Sequence, residues 1–332
     1  MVALSRASSD PEVPPAAFYC VADESYFLGA VGLINSLRLA GHDEPIFLLA
    51  CGLETARREL LEPHVTLVDP PRDAPPWLLK TVAPRLHPAE TMVLVDTDMI
   101  VTRSLAPLVE LAAGGRAVAF ANNIDRFVPE WGALLDLGPV RRQPYVSSAL
   151  VAIGRQPGDR VLRLMEGLQP RVDFERTLWR RNERDYPFLY ADQDVLNAVL
   201  ASRVDAEAVV ALDRRLSPGT PFEGLEVTDA EAVRCAYEDG TEPYVVHHSL
   251  WPKPWQAPAY EGVYTRLLRR LLTGADVAIK VAREDVPLGL RNGAVAFAER
   301  QRVKAREQVR WRLGGLLGER LGVGPLRRGR VT

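Results

Sequence analysis

Short apolar runs rich in β-branched and aromatic residues alternate along this chain with stretches whose apolar positions recur at helical spacing. Ala17–Ala22, Pro45–Cys51, Val65–Val68 and Thr91–Val101 read as strands, followed by Ala117–Ala121, Tyr145–Ile153, Ala208–Leu212 and Tyr244–His248. Between them, Tyr26–Ala40 carries Phe27, Ala30, Val31, Ile34 and Leu37 on one stripe and ends at Gly41, the pattern of a helix and its stop. Glu54–Leu61, the segment around Trp77, Leu78, Lys80 and Thr81, Leu105–Ala112, Asp159–Gly167, Glu175–Arg181, Val195–Leu200 and Tyr260–Thr273 read as further helices. Strands alternating with helices at this pitch predict an α/β fold, a mainly parallel, Rossmann-like sheet flanked by helices. Ligands of such sheets bind beyond the carboxyl ends of the strands.

Candidate chemistry stands at two of those ends. Asp23 follows the first strand, where Asp23-Glu24-Ser25 is also a helix-starting set. Asp96 and Asp98 sit inside the Thr91–Val101 run, at i and i+2, and along an extended chain both project from one face. Two carboxylates at the end of a buried strand repel each other and lose hydration, so a cation is expected between them. A divalent metal suits their hard oxygens. A lone Asp-x-Asp is weak evidence, and the solvated strand end is its ordinary explanation. Asp192 stands before an amphipathic stretch, where a helix N-cap is a competing role.

The chain has 332 residues, enough for one large domain, and its apolar and charged shares of 47% and 25% are those of an ordinary globular protein. A formal net charge of −2 argues against a nucleic-acid binder. Cys20 and Cys51 fall in expected core strands, which fits reduced thiols and a cytoplasmic protein. Met1–Pro15 has no signal-peptide pattern, and residues 1–16 read as a disordered leader. From Arg283 on the chain changes character: between Glu299 and Arg330 there are ten basic residues against three acidic ones, interleaved with Val309, Trp311, Leu313, Leu316, Leu317 and Leu321. Residues 283–332 are therefore expected to form a basic helical segment, lying on an anionic membrane face, packed as a solvated helix on the domain of residues 17–282, or left as a loose tail.

Four blocks, in order, resemble the family 8 glycosyltransferases. They are Val21-Ala22-Asp23-Glu24-Ser25-Tyr26; Lys80 with Val93-Leu94-Val95-Asp96-Thr97-Asp98; Tyr145–Leu150 with Asp192-Gln193-Asp194-Val195-Leu196-Asn197; and His247 with Lys253-Pro254-Trp255. The likeness spans roughly Ala17 to Trp255. It implies the GT-A fold and retaining transfer of a hexose from a nucleotide-diphosphate sugar, usually a UDP-sugar, to a saccharide or other hydroxyl acceptor. It also implies a role for each residue. Asp96, Asp98 and His247 would hold Mn²⁺ or Mg²⁺ against the diphosphate, and Lys253 would meet that diphosphate as a point charge. Ala22 and Asp23 would contact base or ribose, and Tyr26 would stack on the base. Lys80 and Ser147 would reach the donor, Asp192 would grip its sugar hydroxyls, and Gln193 would face the anomeric carbon.

Two departures from the family pattern stand out. Ser147, Ser148 and Ala149 replace a strand that usually carries Asn and Gly, and Leu250 stands where the loop before Lys253 usually has Gly. Leucine does not visit positive φ freely, so this loop is expected to close differently. A nucleotidyltransferase would need a Gly-rich basic loop after the first strand, which is missing. A non-catalytic nucleotide-sugar-binding protein with a decayed site is the alternative reading.

Overall fold

In the computed structural model the described residues are 13–71, 74–257 and 261–321, with only the backbone described for 307, 308 and 310–321. Seven strands form one sheet in the order β3-β2-β1-β4-β7-β6-β8. They are β1 (Ala16–Asp23), β2 (Ile46–Cys51), β3 (Thr66–Val68), β4 (Thr91–Val95), β6 (Ala117–Ala121), β7 (Val146–Gly154) and β8 (Val209–Leu212). β1 pairs in parallel with both β2 and β4, whereas β7 runs antiparallel to β4 and to β6. The sheet is thus the expected, mainly parallel α/β layer, with β7 running antiparallel within it.

Helices cover both faces. One face packs α1 (Phe27–Leu39), α2 (Thr55–Leu61), α4 (Ala106–Ala113) and α8 (Val263–Thr273) over a core that includes Phe18, Leu33, Ile34, Leu48, Val93, Leu267 and Leu268. The other holds α3 (Val82–Leu86), α5 (Trp131–Leu134), α6 (Arg155–Leu168) and α7 (Asp192–Arg203) over Tyr19, Met92, Val151, Ile153, Val195 and Val199. Every α1 residue from Phe27 to Leu37 is buried, so this helix is sandwiched between the sheet and α8. Asn35 locks the sandwich: its amide donates to Leu271 O and Ile279 O at 2.9 Å, and its carbonyl accepts from Ile279 N at 2.7 Å.

Several expectations are corrected. The Thr91–Val101 run is not one strand: it breaks at Asp96-Thr97-Asp98, a turn between β4 and β5 (Met99–Val101). β5 leaves the main sheet and pairs antiparallel with β11 (Val245–His247). The alternation argument for Asp96 and Asp98 therefore does not apply, and a turn converges them instead. Lys80 is not helical; it lies in a turn between a 3₁₀ segment at Pro76–Leu78 and α3. Only Phe174–Arg176 of the Glu175–Arg181 region is regular, as a 3₁₀ turn. The hairpin of β9 (Leu225–Asp229) and β10 (Arg234–Tyr237) was not legible in the pattern, because its side chains are largely exposed.

β1 begins at Ala16, and the carbonyls of Pro14 and Pro15 accept from Glu90 N and Thr91 N, so the chain is already anchored there. At the other end α9 runs Ala294–Leu321. Among the described residues, no helix is long and apolar enough to cross a membrane. The side chains of Trp311, Leu313, Leu316, Leu317 and Leu321, expected to form an apolar face, lie outside the described residues.

Candidate active site

The turn after β4 is laced to three neighbours. Thr97 Oγ1 donates to Val21 O of β1 at 3.1 Å, Asp96 N to Ala149 O of β7 at 2.8 Å, and His248 N to Asp98 O at 3.0 Å. This fixes two carboxylates at the carboxyl ends of β1 and β4, the crevice where α/β sheets bind ligands. β11 brings His247 to the same point, and ligand atoms of Asp96, Asp98 and His247 all lie within 4.8 Å of one another.

A divalent cation fits this set. His247 Nε2 stands 3.1 Å from Asp98 Oδ1, but off the line a hydrogen bond needs, so Asp98 Oδ1 is buried without a hydrogen-bond partner among the described residues. An unsatisfied buried carboxylate oxygen facing an imidazole and a second carboxylate is a donor set of the kind such ions take. Each remaining charge is matched by a lysine. Lys253 Nζ lies 2.7 Å from Asp98 Oδ2 and also donates to His248 O at 2.6 Å. Lys80 Nζ lies 2.7 Å from Asp96 Oδ1 and 3.1 Å from Asp192 Oδ2.

The electrostatics follow from burial set against these contacts. Burial pushes Asp98 up, but His247 and Lys253 outweigh it and hold the carboxyl far below the usual carboxylate range. Asp96 is raised, chiefly by burial and then by its neighbour Asp98, with Lys80 opposing. Burial disfavours the Lys80 ammonium, yet Asp192 and Asp96 hold its pKa above the ordinary lysine range. His248 is lowered to about 4, first by burial and then by Lys253.

Asp192 does not cap α7: Ala191 occupies the N-cap position, and Asp192 is the first helical residue. Its Oδ2 accepts from Ser148 Oγ at 3.0 Å as well as from Lys80, which joins it to the Asp96–Asp98 turn through one ammonium. Gln193 is less open than expected. Its Oε1 accepts from Ser148 N at 3.3 Å and Asn122 Nδ2 at 3.4 Å, and its Nε2 is buried without a hydrogen-bond partner among the described residues. Ser147 does not join Asp192; its hydroxyl accepts from Ala149 N at 3.3 Å. Ser148, given no role from sequence, is the serine that meets Asp192. Adjacent serines on a strand face opposite sides, and the facing side is fixed only by where α7 packs.

Asp23 acts as a local cap, its Oδ1 accepting from Ser25 Oγ at 2.7 Å and Tyr26 N at 3.1 Å. Ala22 is buried in β1, opposite Ala50. The Tyr26 ring meets Trp251 and Trp255 edge-on, with centroids 5.8 and 6.0 Å away, and Lys253 Nζ lies 5.7 Å from its centre. Leu250 and Trp251, the residues of the divergent loop, are exposed beside this group. Trp255 Nε1 donates to Ser25 O at 2.7 Å, tying the loop to the end of β1.

No family model and no curated protein matches the chain in sequence. Solved structures match it in fold. The galactosyltransferase LgtC in complex with donor and acceptor sugar analogues superposes with a TM-score of 0.53 at 15% identity, covering 81% of this chain and 98% of that one. An active-site mutant of LgtC gives 0.52 at 16% identity, again over 81% and 98%. The apo form of WbbM, a bifunctional glycosyltransferase, gives 0.50 at 14% identity over 81% of this chain and 50% of that one. At these identities the likeness is one of architecture: the chain has the GT-A fold.

Proposed function

We propose that this chain is a glycosyltransferase that moves a hexose from a nucleotide-diphosphate sugar, a UDP-hexose in the first instance, to a hydroxyl acceptor. The observation that carries the proposal is the convergence of Asp96, Asp98 and His247 around an unsatisfied carboxylate oxygen at the carboxyl ends of β1 and β4. Breaking a sugar–phosphate bond leaves a nucleoside diphosphate, whose growing charge must be stabilised. A divalent ion, Mn²⁺ by the donor set or Mg²⁺, would supply that stabilisation when held by Asp96, Asp98 and His247.

The chain's own residues do the rest. Lys253 carries a second positive charge within the same shell, and a diphosphate would compete with Asp98 for it. Asp192 has Oδ2 fixed by Lys80 and Ser148, and its other oxygen is the acceptor offered to sugar hydroxyls. Tyr26, met edge-on by two indoles, would offer its ring to a base, with Asp23 and Ala22 as the neighbouring contacts to base or ribose. Retention of anomeric configuration follows the resemblance to family 8, as does the placing of Gln193 near the anomeric carbon. The free cysteines Cys20, Cys51 and Cys235 suit a reducing cytoplasm, and the basic α9 region a contact with the anionic inner face of its membrane.

The test is hydrolysis of a panel of nucleotide-sugars titrated with Mn²⁺, in wild type and Asp98→Ala. The wild-type rate should rise with Mn²⁺, and the variant should lose roughly 100-fold or more. Equal rates would remove the metal role. Failure of every donor to turn over, with Mn²⁺-dependent UDP binding retained, would favour a binding protein instead.

A further inference from the structure

Beside the metal-binding turn lies a second charged cluster that the proposed chemistry leaves unused. Asp194, in the first turn of α7, is completely buried at 0% exposure. Its Oδ1 accepts from Arg126 Nε at 2.9 Å and Tyr145 Oη at 2.6 Å, and its Oδ2 from Tyr190 N at 2.8 Å. Arg126 Nη2 donates in turn to Pro187 O at 2.7 Å, which also accepts from Trp131 Nε1 at 2.6 Å. The guanidinium carbon lies 5.7 Å from the ring centres of both Trp131 and Tyr190. One carboxylate therefore joins three pieces of chain: the segment between β6 and α5, the start of β7, and the approach to α7.

That approach is strained. Ala191 has φ 47° and ψ −118°, a backbone conformation a non-glycine residue holds only when its surroundings impose it. The next residue is Asp192. Buried ion pairs are poor stabilisers compared with apolar packing of the same volume, so stability alone does not account for this one. We infer that the Arg126–Asp194 pair, with Tyr145, is a positioning device: it holds the turn at Ala191 and so aims the Asp192 carboxylate at the sugar of the donor. Arg126 is a positioning residue in this scheme. Asp194, with both oxygens engaged and no accessible surface, holds the helix and does not itself meet the sugar. The inference rests on the reading of Asp192 given above.

Arg126→Leu, Arg126→Lys and Asp194→Asn test it. Calorimetry with Mn²⁺ would measure UDP and UDP-glucose affinities, turnover would be followed in parallel, and hydrogen exchange would be compared over residues 188–194 and 95–101. Arg126→Leu should bind UDP within twofold of wild type. It should lose about tenfold in turnover and in the extra affinity that the sugar confers, and exchange faster only over 188–194. Arg126→Lys, which keeps the charge, should recover part of each. Unchanged exchange over 188–194 in Arg126→Leu would overturn the inference. So would a turnover abolished by Asp194→Asn but left intact by Arg126→Leu, since that pattern belongs to a carboxylate acting on the sugar. Should the wild-type chain hydrolyse no nucleotide-sugar, the proposed function fails, and the exchange measurement, which needs no substrate, still decides whether Arg126 holds the turn.

Discussion

Lys253 is almost fully buried, enclosed by Asp98, the His248 carbonyl and the rings of Tyr26 and Trp251, each ring centre 5.7 Å from the ammonium. Removing one partner of a buried pair leaves the other uncompensated, at a cost of about 3–5 kcal/mol. Lys253→Met should therefore melt well below wild type. A divalent cation would compete for the same carboxylate, so Mn²⁺ alone, without nucleotide, should raise the melting temperature of Lys253→Met by more than that of wild type. Thermal melts with and without Mn²⁺ check this, and equal shifts would mean that ammonium and metal do not compete. At this scale the sequence was informative where chemistry constrained spacing. Asp96, Asp98, His247 and Lys253 were named from their blocks, and the fold brings them into contact. Ser148 and Arg126 were not, because each acts through a partner more than 40 positions away and no local pattern points to it.

α1 touches the site through a glycine. A Cβ on Gly29 would come 2.5 Å from Thr97 O and 2.6 Å from Trp255 Cη2, one the backbone of the Asp96–Asp98 turn and the other a ring tied to the end of β1. Gly29→Ala should cost about 1–3 kcal/mol by overpacking and weaken Mn²⁺ binding, since Thr97 lies between the two carboxylates. Gly32→Ala meets only Leu268 Cδ1, the end of a flexible side chain, and should leave Mn²⁺ binding unchanged. Calorimetric Mn²⁺ titration of the two variants distinguishes them; equal losses would deny Gly29 its role.

A second element contact is set by pH. Glu261 is held below its ordinary 4.5 first by hydrogen bonds from Arg269, at 2.7 and 2.9 Å, and by the charges of Arg269 and Arg300 against opposing burial. Its folded pKa is depressed, so its contribution is complete above the ordinary value and fades as pH falls below about 4.5. Hydrogen-exchange protection at residues 294–303, corrected for the intrinsic pH dependence of amide exchange, should fall over that window in wild type. In Glu261→Gln the corrected protection should be low already at neutral pH and should not change with acid; a wild-type pH response surviving there would place the titrating group elsewhere. Element by element, apolar periodicity located most strands and helices of the sheet layer. It missed the break at Asp96–Asp98, because the turn residues sit inside a continuous apolar run, and it assigned Lys80 to a helix that Pro76 and the turn before α3 interrupt.

Across the whole molecule, the alternation of strands and helices was enough to read the class and the ligand-binding edge. It could not show that β7 enters antiparallel or that β5 leaves the sheet to meet β11, since a buried apolar run looks the same in either direction. Nor does composition say where the domain ends. The expected boundary after residue 282 falls ahead of Val286, Leu290, Ala296 and Val303, all buried, while Arg57 of α2 reaches Asp285 at 3.0 Å and Arg300 donates to Arg291 O at 2.9 Å. Burying Val286, Leu290 and Val303 contributes roughly 5–9 kcal/mol together at about 1.5–3 each. That is comparable with the whole net stability of a domain, about 5–15 kcal/mol. A chain ending at Ala282 should therefore lose its cooperative melt, whereas one ending at Arg306, which keeps Val286, Leu290, Ala296 and Val303, should still melt cooperatively. Thermal melts of the two truncations, followed by near-ultraviolet circular dichroism, decide it. A cooperative, unshifted melt for the shorter chain would make residues 283–303 an accessory rather than part of the fold that holds the candidate site.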